Sequence, residues 1–309
     1  MIYGSESIPV QTILSAMSRR ITGRPTGLSI ELETILFNIR LPRALFAIAA
    51  GAGLSVAGAA LQALLRNPLA EPYVLGISSG AAVGAVLAII FAQTLPISQP
   101  VGAFSGAALT VFLVYVLGQG ASGTSTERLI LAGVITTSFL WAVIIFLLTI
   151  ASTAKLRGIT FWLMGDLGSA PTSLLIFTLT VTAMAIALIY SLSRTLNLLM
   201  VSEESALSLG VEVERSKIML YLLASLLTGA TVSVVGSIGY IGLIVPHIIR
   251  MAWSSDHRLL VPASALLGAS ILLFADTVAR VIIAPRELPV GAITAIIGAP
   301  LFVYLLRRS

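Results

Sequence analysis

The sequence predicts an all-α bundle of membrane-spanning helices, and three observations carry that prediction. Of 309 residues, 57% are hydrophobic and only 10% are charged, whereas soluble domains carry about 25% charged residues. Long stretches lack Asp, Glu, Lys and Arg altogether and divide into segments of about 20 residues, enough to cross a hydrocarbon core. These stretches show no polar–apolar alternation, so they do not read as barrel strands. Helix is the other structure that satisfies its own backbone in lipid.

Nine such segments follow in order. Ala44–Leu65 is the first. Pro72–Thr126 is too long for one span and breaks at Pro96 and Pro100, giving spans at 74–92 and 101–119. Leu129–Ala154 is the fourth, and Leu167–Ser193 holds the fifth, starting after Pro171. Ile218–Ile249 contains Gly229, Gly236, Gly239, Gly242 and Pro246. It reads as a span at 218–236 followed by a short, broken one at 240–253. Leu259–Ala275 runs into the eighth, with Asp276 and Arg280 near its end, and Leu288–Leu306 is the ninth. Gly76, Gly80 and Gly84, and then Gly102 and Gly106, repeat at four-residue spacing, which lets helices approach closely. Domain organisation is then simple: residues 1–43 form an extracytoplasmic N-terminal segment and 44–309 a single transmembrane domain.

Orientation follows from Lys and Arg. With the C-terminus inside, nine basic residues after the first span are cytoplasmic (Arg66, Arg128, Arg194, Arg215, Lys217, Arg250, Arg258, Arg307, Arg308). Four are outside (Lys155, Arg157, Arg280, Arg286). That bias is the one expected of cytoplasmic loops. Residues 1–43 are the exception, with Arg19, Arg20, Arg24, Arg40 and Arg43 placed outside. The net charge of +5 reads as basic residues flanking spans and facing lipid headgroups, not as nucleic-acid affinity. The longest charged interruption, 194–217, is cytoplasmic in this topology. Ser202 suits an N-cap, Glu203 and Glu204 suit a first turn, and Gly210 suits a stop.

Function classes drop out by chemistry. Without cysteine there is no disulfide framework, thiolate metal site or cysteine nucleophile. No GxxxxGK[ST] or HExxH occurs, which removes the motifs of a P-loop ATPase and a zinc protease. No catalytic residue, metal site or cofactor is expected. The only histidines, His247 and His257, lie ten residues apart with no carboxylate pair beside them. They read as structural hydrogen-bonding groups. Residues 1–40 hold no compact apolar run before a small-residue site, so no cleaved signal peptide is expected.

Five segments together resemble the FecCD family of ABC-transporter permeases, which includes vitamin B12, haem and ferric-siderophore import permeases. They are IRLPR at 39–43, LQALLRNPLAEPYVLGISSGA at 61–81, ALSLG at 206–210, GYIGLIVPHIIR at 239–250, and the pattern DHR…P…GA…L…AD…AR…ELPVG…GAP across 256–300. The resemblance implies a type II ABC importer permease in the cell (inner) membrane. It implies a homodimer with the translocation path between subunits, two cytoplasmic ABC ATPase subunits, and an extracytoplasmic substrate-binding protein. Iron(III)–siderophores are the favoured substrates, with haem and cobalamin as related chelates. Ten spans are usual in the family. On that pattern the first is missing here, and Met1-Ile2-Tyr3-Gly4 looks like its tail.

The resemblance also assigns residues. Arg40, Arg43 and Arg280 fall where family permeases meet acidic residues of the binding protein. Headgroup anchoring is the alternative for the first two, and mutual neutralisation with Asp276, four residues away on one helix, is the alternative for Arg280. Ser205, Ala206, Leu207, Ser208, Leu209 and Gly210 match the segment that docks on the ATPase. Thr124, Ser125 and Thr126, within the loop Gly118–Arg128, match the cytoplasmic gate, with a plain turn as the alternative. A competing function is ion-gradient-driven secondary transport, which needs acidic residues near the midplane of several spans. Only Asp276 approaches that, beside an arginine.

Overall fold

The computed structural model describes residues 8–92, 98–120 and 123–306. Its elements, in order, begin with α1 (Val10–Ile21), α2 (Ile30–Glu33), a π-helical stretch (Thr34–Arg40), α3 (Leu41–Leu64), α4 (Ile77–Phe91) and α5 (Ser98–Gly118). A two-residue ribbon follows, β1 (Gln119–Gly120) antiparallel to β2 (Gly123–Thr124), with Gln119 opposite Thr124. Next come α6 (Thr126–Ile150), α7 (Thr153–Leu163), a 3₁₀ turn (Thr172–Leu174), α8 (Leu175–Ser191), α9 (Ser193–Val201) and α10 (Glu203–Ser208). The chain continues through α11 (Val213–Val235), α12 (Ile241–Ala252), α13 (His257–Val281) and α14 (Val290–Leu306).

Each of the nine apolar segments in the sequence coincides with a helix. Among the described residues, six helical runs are long and apolar enough to cross a membrane, while Ile77–Phe91, Ile241–Ala252 and Val290–Tyr304 are shorter. The 12 residues of α12 reach about 18 Å at 1.5 Å per residue, well short of a hydrocarbon core of about 30 Å. The short, broken segment expected after Gly236 is therefore a half-helix. Gly236 ends α11 with φ of 75°, and Tyr240 starts α12 in the left-handed region at φ 70°.

The first span differs from expectation. The sequence places its start at Ala44, but the helical run begins at Ile30 and continues unbroken to Leu64. Pro42 lies in the first turn of α3. Proline has no N–H to donate, and its ring crowds the carbonyl four residues back. The chain answers by widening just before it: the Leu41 N–H bonds the Leu36 carbonyl, an i→i+5 bond, and Thr34–Arg40 form the π-helical stretch. Arg40 and Arg43, read as flanking residues ahead of the span, thus lie within a helix. Upstream, α1 was not expected either. Its Ile13 and Ala16 bury against Ile8 and Leu36, and Arg20 pairs with Glu33 at 2.7 Å. The expected helix tail at Met1–Gly4, the break at Pro96 and the basic pair Arg307–Arg308 lie outside the described residues.

Helix α3 is the axis of the bundle, buried along most of its length. Small residues let its neighbours close on it. A Cβ on Gly51 would strike the Gly268 carbonyl of α13, and one on Gly58 the Gly242 carbonyl of α12. The GxxxG steps work the same way between α4 and α5, where Gly80 faces Gly106 and Gly84 faces Gly102. Helices α5, α6 and α8 instead leave most of their apolar surface exposed, as lipid-facing or subunit-facing helices do.

Candidate functional sites at the two membrane faces

With the Lys/Arg bias setting orientation, the outer end of α3 meets the outer end of α13. Arg43 donates from Nε to Asp276 Oδ1 at 2.9 Å and from Nη1 to Glu287 Oε2 at 2.7 Å. Arg280 donates from Nε to the other Asp276 oxygen at 3.1 Å. Asp276 is 0% exposed, so one buried carboxylate serves two guanidiniums from different helices. A carboxylate with both oxygens engaged by planar forks is strongly oriented. Beside this cluster opens a cavity of about 1040 Å³ lined in part by Arg43, Phe46, Arg157, Phe161, Asp166 and Glu287. Helix α7, between the fourth and fifth spans, supplies Arg157 and Phe161, whose cation–π contact measures 5.6 Å.

The resemblance sets Arg40 and Arg43 where family permeases meet acidic residues of the binding protein, and the structure adds partners for Arg43 within the chain. Both residues are buried. Arg43 is engaged by internal carboxylates, and the Asp276–Arg280 neutralisation named as the alternative for Arg280 is present. The physical reason is long-range: Asp276 is 233 positions from Arg43 in sequence, and only packing of α13 on α3 brings them together.

At the Arg66 end of α3, opposite Arg43, the 194–217 interruption folds as α9 and α10. The Ser202 hydroxyl accepts the Ser205 N–H at 2.9 Å, and Glu203 and Glu204 occupy the first turn, where acidic side chains favour a helix N-terminus. At the other end, Gly210 takes φ of 80°. Its N–H bonds the Leu207 carbonyl at 3.0 Å, and the Val211 N–H bonds the Ala206 carbonyl at 3.0 Å. These two bonds are a Schellman closure. Ala206 is buried, while Leu207 and Leu209 are 59% and 60% exposed. Ser205 and Ser208 hydrogen-bond within the same turn. A short, doubly capped helix thus presents two leucines away from the bundle.

Thr124 belongs to β2, Ser125 caps α6 by accepting the Arg128 N–H at 3.2 Å, and Thr126 is the first residue of α6. At the start of α13, the Asn197 amide carbonyl receives the His257 N–H at 2.9 Å and contacts its Nδ1 at 2.7 Å. The Asn197 amide donates to Asp256 at 2.7 Å. Asp256 caps α13, and the Arg258 N–H and then the Asn197 amide hold its carboxyl below the usual range. His247 stacks edge-on against Phe302 at 6.2 Å. Among the described residues no group of three or more His, Cys, Asp or Glu could hold a metal.

Sequence reasoning missed several of the residues that tie the bundle together. The Glu71 carboxylate accepts the Tyr240 N–H at 2.7 Å, capping the half-helix α12 from the turn after α3. Gln62 donates to the Gly242 carbonyl at 3.2 Å and accepts from Arg250 at 2.5 Å. Both lie inside quoted motif segments, yet their partners are 169 to 188 positions away, beyond any local pattern.

Comparison with known proteins agrees with this architecture. The FecCD transport family profile matches residues 1–308. The permease protein YvrB of Bacillus subtilis is 42% identical over 312 residues, covering 99% of this chain and 88% of that protein. The cobalamin import permease BtuC of Halobacterium salinarum is 43% identical, covering 91% of this chain and 75% of that one. The hemin transport permease HmuU of Yersinia pestis is also 43% identical, covering 89% and 84%. A metal-chelate type ABC transporter solved in an inward-facing conformation superposes with a TM-score of 0.82 at 34% identity, covering 97% of this chain and 99% of that one. With apolar helices in the expected order and a family match along its length, this multi-pass membrane protein belongs to the FecCD transport family.

Proposed function

We propose that the chain is the membrane-spanning subunit of a binding-protein-dependent ABC importer that moves a metal chelate, haem or a cobalamin-type compound inward. Iron(III)–siderophores are the finer reading. Two copies enclose the path, separate ATPase subunits supply the energy, and a binding protein delivers substrate from outside. Helix α10 is the observation that carries this reading. It is rigidly capped, sits at the inner face, and exposes Leu207 and Leu209, which suits insertion into a groove of a soluble partner. The segment Ser205–Gly210 is then the ATPase contact, and Thr124–Thr126 the inner gate.

Docking at the outer face rests on Arg40, Arg43 and Arg280. Acidic groups of the binding protein reach Arg43 in competition with Asp276 and Glu287. Glu287, with a half-exposed side chain, is the partner that can yield. Ion-gradient-driven transport is disfavoured, because Asp276 is clamped by two guanidiniums, an arrangement unsuited to cycling a proton.

The test is reconstitution in vesicles with the ATPase and the binding protein. Uptake of labelled ferric siderophore, haem or cobalamin that needs ATP and survives ionophores supports the reading. Uptake without ATP that ionophores abolish overturns it.

A further inference from the structure

Glu203, in the first turn of α10, is not accounted for by capping alone. Its Oε1 receives Arg66 Nη2 at 2.8 Å and Lys217 Nζ at 2.6 Å. Arg66 stands just past the inner end of α3, in the left-handed region at φ 44°. Its Nε donates to the Leu199 carbonyl of α9 at 3.0 Å. Lys217 lies in the first turns of α11 with its side chain only 12% exposed, a poor place for an ammonium without a carboxylate. One carboxylate therefore joins the short helix to α9, to the axial helix α3 and to α11. Lys217 also shares a small pocket with Leu64 of α3 and with Thr126 and Leu129 at the start of α6. An ion pair thus runs from Glu203 of α10 to Lys217, which lines one pocket with Thr126.

We propose that Glu203 is a positioning residue that makes α3, α11 and the inner end of α6 move with α10. The inference rests on reading α10 as the ATPase contact. Without the carboxylate, α10 keeps its caps and its exposed leucines, and the ATPase can still bind. What fails is transfer: displacement of α10 no longer obliges Lys217 and Arg66 to follow. Two pairs on one oxygen also fix direction, because α10 cannot swing towards α11 without drawing on Arg66.

The chain contains no cysteine, so Thr126→Cys gives this subunit one thiol, probed in the complete transporter reconstituted with a cysteine-free ATPase and binding protein. The measurement is the rate of labelling by a membrane-impermeant maleimide with and without ATP, alongside substrate moved per ATP hydrolysed. With Glu203 present, we expect ATP to change the labelling rate at least fivefold. Glu203→Gln and Lys217→Met should each abolish that change and lower substrate moved per ATP at least tenfold. The ATPase should co-purify at its usual ratio, and Lys217→Arg should restore both readouts. Lys217→Met decides the matter if Glu203→Gln weakens assembly, since Lys217 is shielded from the partner face. A normal labelling response and coupling ratio in Lys217→Met overturns the proposal. Failure of the α10 reading is distinguishable: the ATPase would then co-purify undiminished with a Leu207→Asp, Leu209→Asp double variant.

Discussion

Arg43 on α3 donates to Asp276 on α13 at 2.9 Å, and the same carboxylate takes Arg280 at 3.1 Å. This pairing of two helices sets one buried acid between two guanidiniums, with Glu287 as the second carboxylate on Arg43. It stabilises only while all members are present, because burying two guanidiniums beside a neutral group costs more than exposing them.

Removing the acid tests that statement. Asp276→Asn should cost about 3–5 kcal/mol, the usual penalty for stranding a buried charge. The apparent unfolding temperature in detergent should fall by several degrees. The combined variant Arg43→Met, Asp276→Leu, Arg280→Met should recover most of that loss. An unchanged midpoint for Asp276→Asn would show that water already solvates the cluster.

Glu287 offers a separate handle on docking. If Arg43 meets the binding protein, Glu287→Gln frees one of its nitrogens and removes a competing charge of the wrong sign for an acidic partner. Affinity for the binding protein should rise several-fold, with a steeper fall as salt increases. Constant affinity and constant salt slope would confine Arg43 to bracing α3 against α13.

Coupling through α10 is tested by breaking its last turn. The Leu209 N–H bonds the Ser205 carbonyl at 3.3 Å, and proline there deletes that donor while pushing Ser208 out of helical geometry. Leu209→Pro should abolish substrate-stimulated ATP hydrolysis and leave membrane insertion intact. Stimulation at the wild-type level would make 194–217 a connector only.

Close helix approach predicts a size limit on the axis. Gly58 lies against the Gly242 carbonyl, where no Cβ fits. Gly58→Val should force α3 from α12 and cost about 1–3 kcal/mol by overpacking, read as a lower detergent unfolding midpoint and reduced yield of folded protein. Gly158, with nothing within 4 Å of a would-be Cβ, is the control, and Gly158→Ala should be near neutral.

The sequence by itself determined where the long apolar helices lie, because lipid demands an uninterrupted apolar run and charges or prolines end one. The cap of α10 was legible for a related reason. Ser202, Glu203 and Gly210 sit within one turn of the groups they satisfy, so their spacing alone carries the geometry. Tertiary structure decided everything that joins distant segments. It extended the first span back to Ile30, since a π-helical turn absorbs Pro42 without breaking the run. It gave Arg43 two carboxylate partners within the chain, Asp276 and Glu287. It also placed Glu203 between Arg66 and Lys217 and Glu71 over the N-terminus of α12. The reason is that a charge in a low-dielectric bundle is governed by what packs beside it, and helices brought together through glycine contacts choose those neighbours without regard to sequence distance.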